Sequence, residues 1–335
     1  MYRYILRRLL WMLPVLFLIS VITFVMMKLT PGGPFDTTPG GRELPRETVE
    51  MLNRRYHLDA PQWQQYLIYM GFWPTETTAE GRPVFKGLLQ GDLGPSYQYK
   101  GRGVTEIIFS VPPGRPWWES RFGRTVQLGF FGFLVGVGVG IPLGIIAAVR
   151  HNSWADYLSL FLATIWYATP SFVLAIFLII IFALWLHWLP VVPRNWNSVQ
   201  PWILPTVSLG AALAASLARL TRAMMLEVLR QDFVRTARSK GLREGSVLLR
   251  HALRNALIPV ATILGPALAA LITGSFFIET FFSFPGMGRL FVQAIQQRDY
   301  SVILGVTLLY AGIIALANLI VDVLYGWLDP RISYT

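Results

Sequence analysis

The side chains that most often perform chemistry are scattered along this sequence. The four histidines lie at positions 57, 151, 187 and 251, so no group of them has the spacing of a metal site. The chain has no cysteine, which excludes disulfides and thiolate nucleophiles. The dipeptide Gly-Lys never occurs, so there is no phosphate-binding loop for ATP, and no G-x-S-x-G nucleophile motif is present. The residue types argue against an enzyme and predict no cofactor or metal in this chain.

One long basic stretch needs a different explanation. The segment DFVRTARSKGLREGSVLLRHALRNALIP, residues 232–259, lies between two strongly apolar stretches and is rich in Lys and Arg. Asp232 is expected to cap a helix over FVRTARSK, and Gly241 to end it in the left-handed conformation. A second helix has an apolar face formed by Val247, Leu248, Leu249, Ala252, Leu253 and Ala256. The sequence thus predicts a helix–turn–helix at a membrane surface, where attraction to anionic lipid explains the charge but not the turn.

The composition indicates that lipid covers much of the apolar surface. Of the 335 residues, 54% are hydrophobic and only 14% are charged, whereas about a quarter are charged in a soluble domain. The formal net charge of +11 would suggest nucleic acid binding in a soluble protein. In a membrane protein it more often reflects cytoplasmic loops that face anionic lipid. We therefore expect contact with membrane lipid and none with nucleic acid.

Six segments are long and apolar enough to cross a bilayer, which takes about 20 residues. They cover residues 9–29, 125–149, 157–186, 204–227, 256–278 and 301–327. The first segment begins like a signal peptide, but its apolar run is too long for one, so it is predicted to be a retained span. Arg219 and Arg222 fall near the end of the fourth segment, where they are expected to snorkel toward cytoplasmic headgroups.

The basic residues of the short loops predict the orientation. The N-terminal tip, the turn at 150–156 and above all the segment 232–259 carry Lys and Arg, whereas the loops 187–203 and 279–300 have less net positive charge. Both chain termini and the basic segment are therefore predicted to face the cytoplasm. The predicted fold class is an all-α membrane protein with six transmembrane helices, N-in and C-in, and an added periplasmic region after the first helix.

That periplasmic region, residues 30–124, is rich in Gly and Pro and carries four Trp. It separates an N-terminal transmembrane helix, residues 1–29, from a five-helix core over residues 125–335. Short helices are expected around 45–56 and 61–71. The region has two compatible interpretations: a folded loop, or a docking surface for an extracytoplasmic partner.

Two features inside the spans allow a structural or a functional interpretation. Asp322, with Asn318 one turn earlier, is either a hydrogen-bonded packing residue or a group with a coupling or gating role. Small residues recur at every fourth position of the second span, at Gly132, Gly136, Gly140 and Gly144. Such a stripe lets two helices approach closely, either for packing alone or so that they can slide as a pathway opens.

The basic segment resembles the EAA loop of ABC-importer permeases, and specifically the peptide/nickel branch of that family. In this family the loop forms a coupling helix that fits a groove on a separate ATP-binding subunit. The resemblance places Arg235, Thr236 and Ala237 on the Glu-Ala-Ala of the motif and Gly241 on its glycine. The residues that flank this turn are Lys240, Leu242, Arg243 and Glu244. The resemblance implies that these eight residues contact the ATP-binding subunit.

The chain departs from the wider motif at two places. Arg235 replaces the acidic residue, and the closing Leu-Pro of the motif falls on Leu253-Arg254, both of which the peptide branch accommodates. Further signatures of that branch are residues 7–34, GDLGPS at 91–96, FIETFFSFPGMGRLFVQAIQQRDY at 277–300 and DPRI at 329–332. Two stretches, about 71–86 and 111–121, are longer than usual in the family, and partner-specific adaptation is expected there.

The resemblance implies a permease subunit of an ATP-driven importer in the prokaryotic cytoplasmic (inner) membrane. It also implies a homologous second permease subunit, two ATP-binding subunits that hold ATP and Mg²⁺, and an extracytoplasmic solute-binding protein. The expected solute is an oligopeptide, a dipeptide or a related small solute. The alternative is a self-sufficient secondary transporter or channel, which predicts intramembrane acids and matched broken helices. Neither feature is evident in the sequence.

Overall fold

A computed structural model describes residues 2–35, 44–77 and 82–328, and these residues are mostly helical. In chain order the helices are α1 (Tyr2–Leu29), α2 (Arg46–Arg55), α3 (Gln62–Met70), α4 (Val104–Phe109), α5 (Arg121–Val149), α6 (Trp154–Ala168), α7 (Ser171–Leu178), α8 (Gln200–Leu229), α9 (Asp232–Ser239), α10 (Glu244–Ser246), α11 (Leu253–Ile272), α12 (Phe276–Phe281), α13 (Met287–Gln296) and α14 (Tyr300–Leu328). Two short strands, β1 (Glu76–Thr77) and β2 (Pro83–Val84), pair in antiparallel fashion. Short 3₁₀ turns occupy Leu88–Gln90 and Trp117–Glu119, and π-helical turns occupy Ile179–Trp185 and Val247–Ala252. The DPRI signature at 329–332 lies outside the described residues.

Within the described residues, five helices are long and apolar enough to cross a membrane. They are Tyr4–Leu29, Arg121–Val149, Gln200–Leu229, Glu244–Ile272 and Tyr300–Val323. The bent pair α6 and α7 makes a sixth crossing if it counts as one span. The prediction of an all-α membrane protein is therefore confirmed.

The third predicted span, residues 157–186, is bent and not one straight helix. The two helices at this place, α6 and the helix that starts at Ser171, meet at an angle of 111°. Pro170 has no N–H to donate, and the residue before a proline is driven out of the helical region. Accordingly Thr169 is extended, with φ −87° and ψ 121°. The span is broken at a site that the sequence marks with a proline.

The fifth span begins and ends earlier than residues 256–278. One apolar helical stretch runs from Glu244 to Ile272, and the left-handed Gly274 (φ +72°) follows it. The second helix of the basic segment is therefore not a separate helix at the membrane surface but the first part of this span. No proline stands between Glu244 and Pro259, Gly245 is accommodated in the helix, and Pro259 itself lies within α11.

The described chain divides into two compact units. The first unit comprises Met1–Arg124 and Pro285–Ala315. Its apolar core joins the end of α1 to α4, α13 and the start of α14, with Met27, Ile108, Leu290, Val302 and Val306 among its members. The short helices expected around 45–56 and 61–71 are confirmed as α2 and α3.

The second unit comprises Thr125–Phe284 and Leu316–Thr335, and α6, α7 and α11 all pack against α8. The glycine stripe of α5 also meets α8. A Cβ on Gly136 would lie 2.7 Å from Leu213 Cδ2, and a Cβ on Gly140 would lie 2.5 Å from the Ala214 carbonyl oxygen. The predicted close approach of two helices is confirmed, because neither position has room for a larger residue. Asp322 is half-buried in α14, and its role stays a prediction.

Candidate coupling segment

Helix α9 is held on its inner side by apolar contacts. Val234 is fully buried and Ala237 is only 5% exposed. Both belong to a cluster with Met225 and Val228 of α8. The same cluster contains Val247, Ala252 and Ala256. Complete burial of a side chain such as Val234 stabilises by about 1.5–3 kcal/mol. Helix α9 is thus packed against two helices that cross the membrane.

The residues matched to the EAA motif divide between a buried and an exposed side. Seven of them are exposed: Arg235, Thr236, Lys240, Gly241, Leu242, Arg243 and Glu244. Ala237 is the exception, since it faces the apolar cluster. Its side chain therefore anchors the segment and does not reach its outer surface.

The turn after α9 has the conformation that the sequence predicts. Gly241 has a φ of +76°, and its N–H donates to the Arg238 carbonyl at 2.9 Å. No described atom lies within 4 Å of the position where a Cβ on Gly241 would stand. The need for glycine is therefore conformational, because space is open but side-chain-bearing residues rarely adopt this φ.

The predicted cap at Asp232 is wrong. Gln231 takes the capping position in an extended conformation, φ −77° and ψ 152°, and Asp232 is already the first helical residue. The Gln231 carbonyl accepts from the Val234 N–H at 3.1 Å, so the helix starts one residue too early for Asp232 to cap it. Asp232 instead lies 3.6 Å from Arg235 and places a negative charge in the first turn, which suits the helix dipole.

An ion pair closes the two sides of the turn. The guanidinium of Arg238 donates to Glu244 through Nη2 at 2.6 Å and through Nε at 3.2 Å. This hydrogen bonding raises the pKa of Arg238. Both side chains are about half exposed, at 45% and 57%. The pair connects α9 to the start of the fifth span while it stays open to water.

Two large apolar side chains stand among these charges. Phe233 is 39% exposed and Leu242 is 43% exposed. The sequence prediction missed Phe233. Adjacent helical residues point about 100° apart, so Phe233 can face outward while its neighbour Val234 is buried. Leu249, predicted on the apolar face of the second helix, is 65% exposed and lies outside the buried cluster. It lies in the π-helical turn Val247–Ala252, which changes the phase of the helix.

Behind this segment, a buried ion pair fixes α8 to α6. Arg222 donates to Asp156 through Nε at 2.6 Å and through Nη2 at 2.8 Å, and Asp156 is 1% exposed. The Asn152 N–H and the ring Nδ1 of His151 also lie within 3.1 Å of Asp156 Oδ2. Arg222 thus has a carboxylate partner within the protein, and its expected snorkelling to headgroups stays a prediction.

Arg219 also has a partner within the protein. Its guanidinium lies over the ring of Tyr167, 3.8 Å from the ring centroid, where cation–π attraction holds it. Both arginines lie near the end of a predicted span. Their partners could not be predicted from the sequence, because those partners belong to a different helix.

Two carboxylates of the loop 279–300, Glu279 and Asp299, are buried. In the second unit, Glu279 Oε1 accepts from the Thr125 hydroxyl at 2.9 Å. In the first unit, Asp299 Oδ2 accepts from the Ser96 hydroxyl and, at 3.2 Å, from the Gln98 N–H. Burial raises the pKa of Asp299. Two family signatures that are 200 residues apart, GDLGPS and the stretch ending in RDY, therefore meet at a buried hydrogen bond.

The described residues contain no group of three or more His, Asp or Glu that could hold a metal ion. The basic segment presents exposed charges and two apolar side chains on a packed base, a surface suited to recognition of a partner.

Comparison with known proteins supports this interpretation. Residues 140–334 match a family model described as "Binding-protein-dependent transport system inner membrane component". Residues 1–88 match the model of the corresponding N-terminal part. Together the two matches include α1, most of the spans and the whole basic segment.

Curated proteins of similar sequence match over the full length. The oligopeptide transport system permease protein OppB of Escherichia coli (strain K12) is 42% identical, with 100% of both chains covered. OppB of Haemophilus influenzae is 39% identical, again over 100% of both chains. The dipeptide transport system permease protein DppB of Bacillus subtilis (strain 168) is 39% identical over 99% of this chain and 98% of that protein.

Proposed function

Because the chain belongs to the family of inner membrane components of binding-protein-dependent transport systems, we propose that it forms, with a second permease subunit, a pathway for import of small peptides. The chain is a multi-pass protein of the inner membrane and a transporter subunit, not an enzyme. The observation that carries the peptide proposal is the full-length similarity to permeases named for oligopeptides and dipeptides.

The exposed side of the segment 232–244 is proposed to dock on a separate ATP-binding subunit, which holds ATP and Mg²⁺. Its exposed surface combines the apolar Phe233 and Leu242 with the cations Arg235, Lys240 and Arg243. This pattern fits a groove with an apolar floor and an acidic rim, because rim charges set orientation while buried apolar contacts supply affinity.

Docking would be transmitted to the spans through the packed base of α9. Val234 and Ala237 pack on α8 and on the helix that starts at Glu244, so a push on α9 displaces both helices together. ATP-bound partners that close on one state of the permease would favour that state by their difference in binding free energy. This mechanism needs no catalytic group in the chain.

A soluble binding protein is proposed to deliver the solute on the opposite side of the membrane. Its docking surface would be formed by parts of residues 30–124, 187–203 and 279–300. Two ATP-binding subunits, one homologous permease subunit and this binding protein would complete the importer.

Cross-linking tests the docking proposal. Since the chain has no cysteine, a Leu242→Cys variant offers one reactive thiol in this subunit. A short bis-maleimide should join it to a cysteine placed in the rim of the groove on a cysteine-free ATP-binding subunit. Leu18→Cys, a 57% exposed position within α1, is the matched control and should give no product. Equal yields from the two positions would contradict docking.

Transport tests the proposed solute and the ATP dependence. The assembled importer in proteoliposomes should take up labelled peptide only with ATP inside and binding protein outside. Mass spectrometry of the ligand that copurifies with the binding protein identifies the solute directly. Uptake by the purified chain alone, unaffected by ATP, would instead establish a secondary transporter.

A further inference from the structure

Helix α3 lies against the first transmembrane helix. The Tyr66 hydroxyl is 2.7 Å from the Ser20 hydroxyl of α1. The ring of Tyr66 also makes edge contacts with Phe24 and Phe17, at centroid distances of 5.2 and 6.4 Å. Nearer the end of α1, the Lys28 ammonium donates to Gln65 Oε1. One face of α3 is thus held along the last three turns of a span.

The positions of the charged residues of α1 indicate how deep in the bilayer these contacts lie. Arg8 and Lys28 are 20 residues apart, which in a helix spans about 30 Å, the thickness of the hydrocarbon core. Ser20 lies eight residues from Lys28, so it stands about 12 Å inside that boundary. Because the phenol of Tyr66 bonds to Ser20, Tyr66 reaches into the hydrocarbon layer, and the backbone of α3 lies near its edge.

The free side of this element is aromatic and uncharged. Trp63, Phe72 and Trp73 are 58%, 60% and 38% exposed, and the two Trp rings are in edge contact at 5.8 Å. The surface continues into the exposed apolar side of α1 through Phe17, which is 53% exposed and touches Tyr66. Helix α3 contains no charged residue, whereas α2 has five charges in ten residues.

We propose that α3 and the turn to Trp73 form a membrane-interface element, whose aromatic rim inserts into the bilayer at the Lys28 end of α1. Tyr and Trp concentrate at the boundary between headgroups and acyl chains, where one end of the ring is wet and the other apolar. With the orientation predicted from the basic loops, this boundary belongs to the outer leaflet. Lipid therefore covers the aromatic rim, and a binding protein would dock elsewhere on residues 30–124.

Spin labelling tests this assignment in the full chain, reconstituted in nanodiscs of phosphatidylcholine and phosphatidylglycerol. The absence of native cysteine allows single nitroxide labels at Trp63→Cys, Phe72→Cys and Trp73→Cys. Leu18→Cys on α1 serves as the lipid control and Glu50→Cys on the charged helix α2 as the water control. Collisions with oxygen report access from lipid, and collisions with a water-soluble nickel chelate report access from water.

We expect the three labels to differ from Glu50→Cys in the direction of Leu18→Cys, with more collisions with oxygen and fewer with the nickel chelate. This pattern should not change when a solute-binding protein is added. Collisions with nickel as frequent as at Glu50→Cys would overturn the proposal, and shielding by added binding protein would then assign the rim to that protein. Exclusion of both reagents at all three positions would also overturn it, because it would place protein, not lipid, over the rim.

Discussion

Two arginine–carboxylate pairs of the second unit have almost the same contacts and opposite surroundings. Arg222 holds Asp156 at 2.6 and 2.8 Å, and Arg238 holds Glu244 at 2.6 and 3.2 Å. The first pair is 20% and 1% exposed, whereas the second is 45% and 57% exposed. Distance alone therefore does not tell which pair holds the molecule together.

The surroundings decide what each pair does. An exposed ion pair contributes about 0–1 kcal/mol, because water and salt screen it, so a docking partner can replace it at little cost. Removing one member of a buried pair costs about 3–5 kcal/mol, since the other charge is left without compensation. Arg222 and Asp156 thus belong to a fixed frame, and Arg238 and Glu244 belong to a surface that can be rearranged.

The largest effect is expected from breaking the fixed pair. Arg222→Gln should lower the free energy of unfolding by about 3–5 kcal/mol, because Asp156 stays buried without its cation. Denaturation of the purified protein in mild detergent measures the change. The double variant Arg222→Gln with Asp156→Asn should recover much of the loss, since no charge is then left buried. No recovery in the double variant would contradict the role given to the charge.

A buried carboxylate that has no cationic partner among the described residues extends the comparison. Asp299 in the first unit accepts hydrogen bonds from neutral donors, and in the described part of the chain no cation lies within ion-pair distance. Because burial raises its pKa, the folded protein keeps the proton at pH values where the unfolded chain has lost it. Stability from this group is therefore complete below about pH 4 and is lost as the pH rises through the folded-state pKa.

The measurement is unfolding from pH 4 to pH 7 with and without Asp299→Asn. The unmodified protein should lose about 1.4 kcal/mol relative to the variant for each unit by which the pKa is raised. The difference between the two proteins isolates this residue from the other carboxylates. A difference that grows in the opposite direction would show that the folded state favours the ionised form.

The smallest effect is expected from the exposed pair. Arg238→Gln makes the same exchange as Arg222→Gln, yet it should change the free energy of unfolding by no more than about 1 kcal/mol. The same detergent denaturation measures both variants. A loss at Arg238 as large as at Arg222 would remove the distinction between frame and surface.

Local signals predicted much of the fold. The apolar runs located the spans, and the glycine stripe of α5 predicted a close approach of two helices. The left-handed turn at Gly241 also followed from residue type alone. These features depend on neighbours in the chain, so the sequence carries them directly.

Contacts between residues that are distant in sequence were not predicted. Arg222 pairs with Asp156 on another helix, and Asp299 accepts a hydrogen bond from Ser96, some 200 residues away. At the coupling segment, the sequence could not tell that Ala237 faces inward and Phe233 outward, because packing of α9 into the apolar cluster with α8 fixes that choice. Periodicity predicts that a face exists, but contacts between helices determine which side is buried.

The central claim, that the segment 232–244 passes the action of ATP-binding subunits to the spans, is tested most directly at Gly241. Gly241→Val forces a β-branched residue to a φ of +76°, at a cost of about 1–3 kcal/mol, whereas Gly241→Asn is the matched control because Asn tolerates this conformation. The measurement is the amount of peptide imported per ATP hydrolysed by the assembled importer. We predict that Gly241→Val inserts into the membrane and permits ATP hydrolysis but loses uptake, while Gly241→Asn keeps both. An unchanged ratio in Gly241→Val would contradict the coupling assignment.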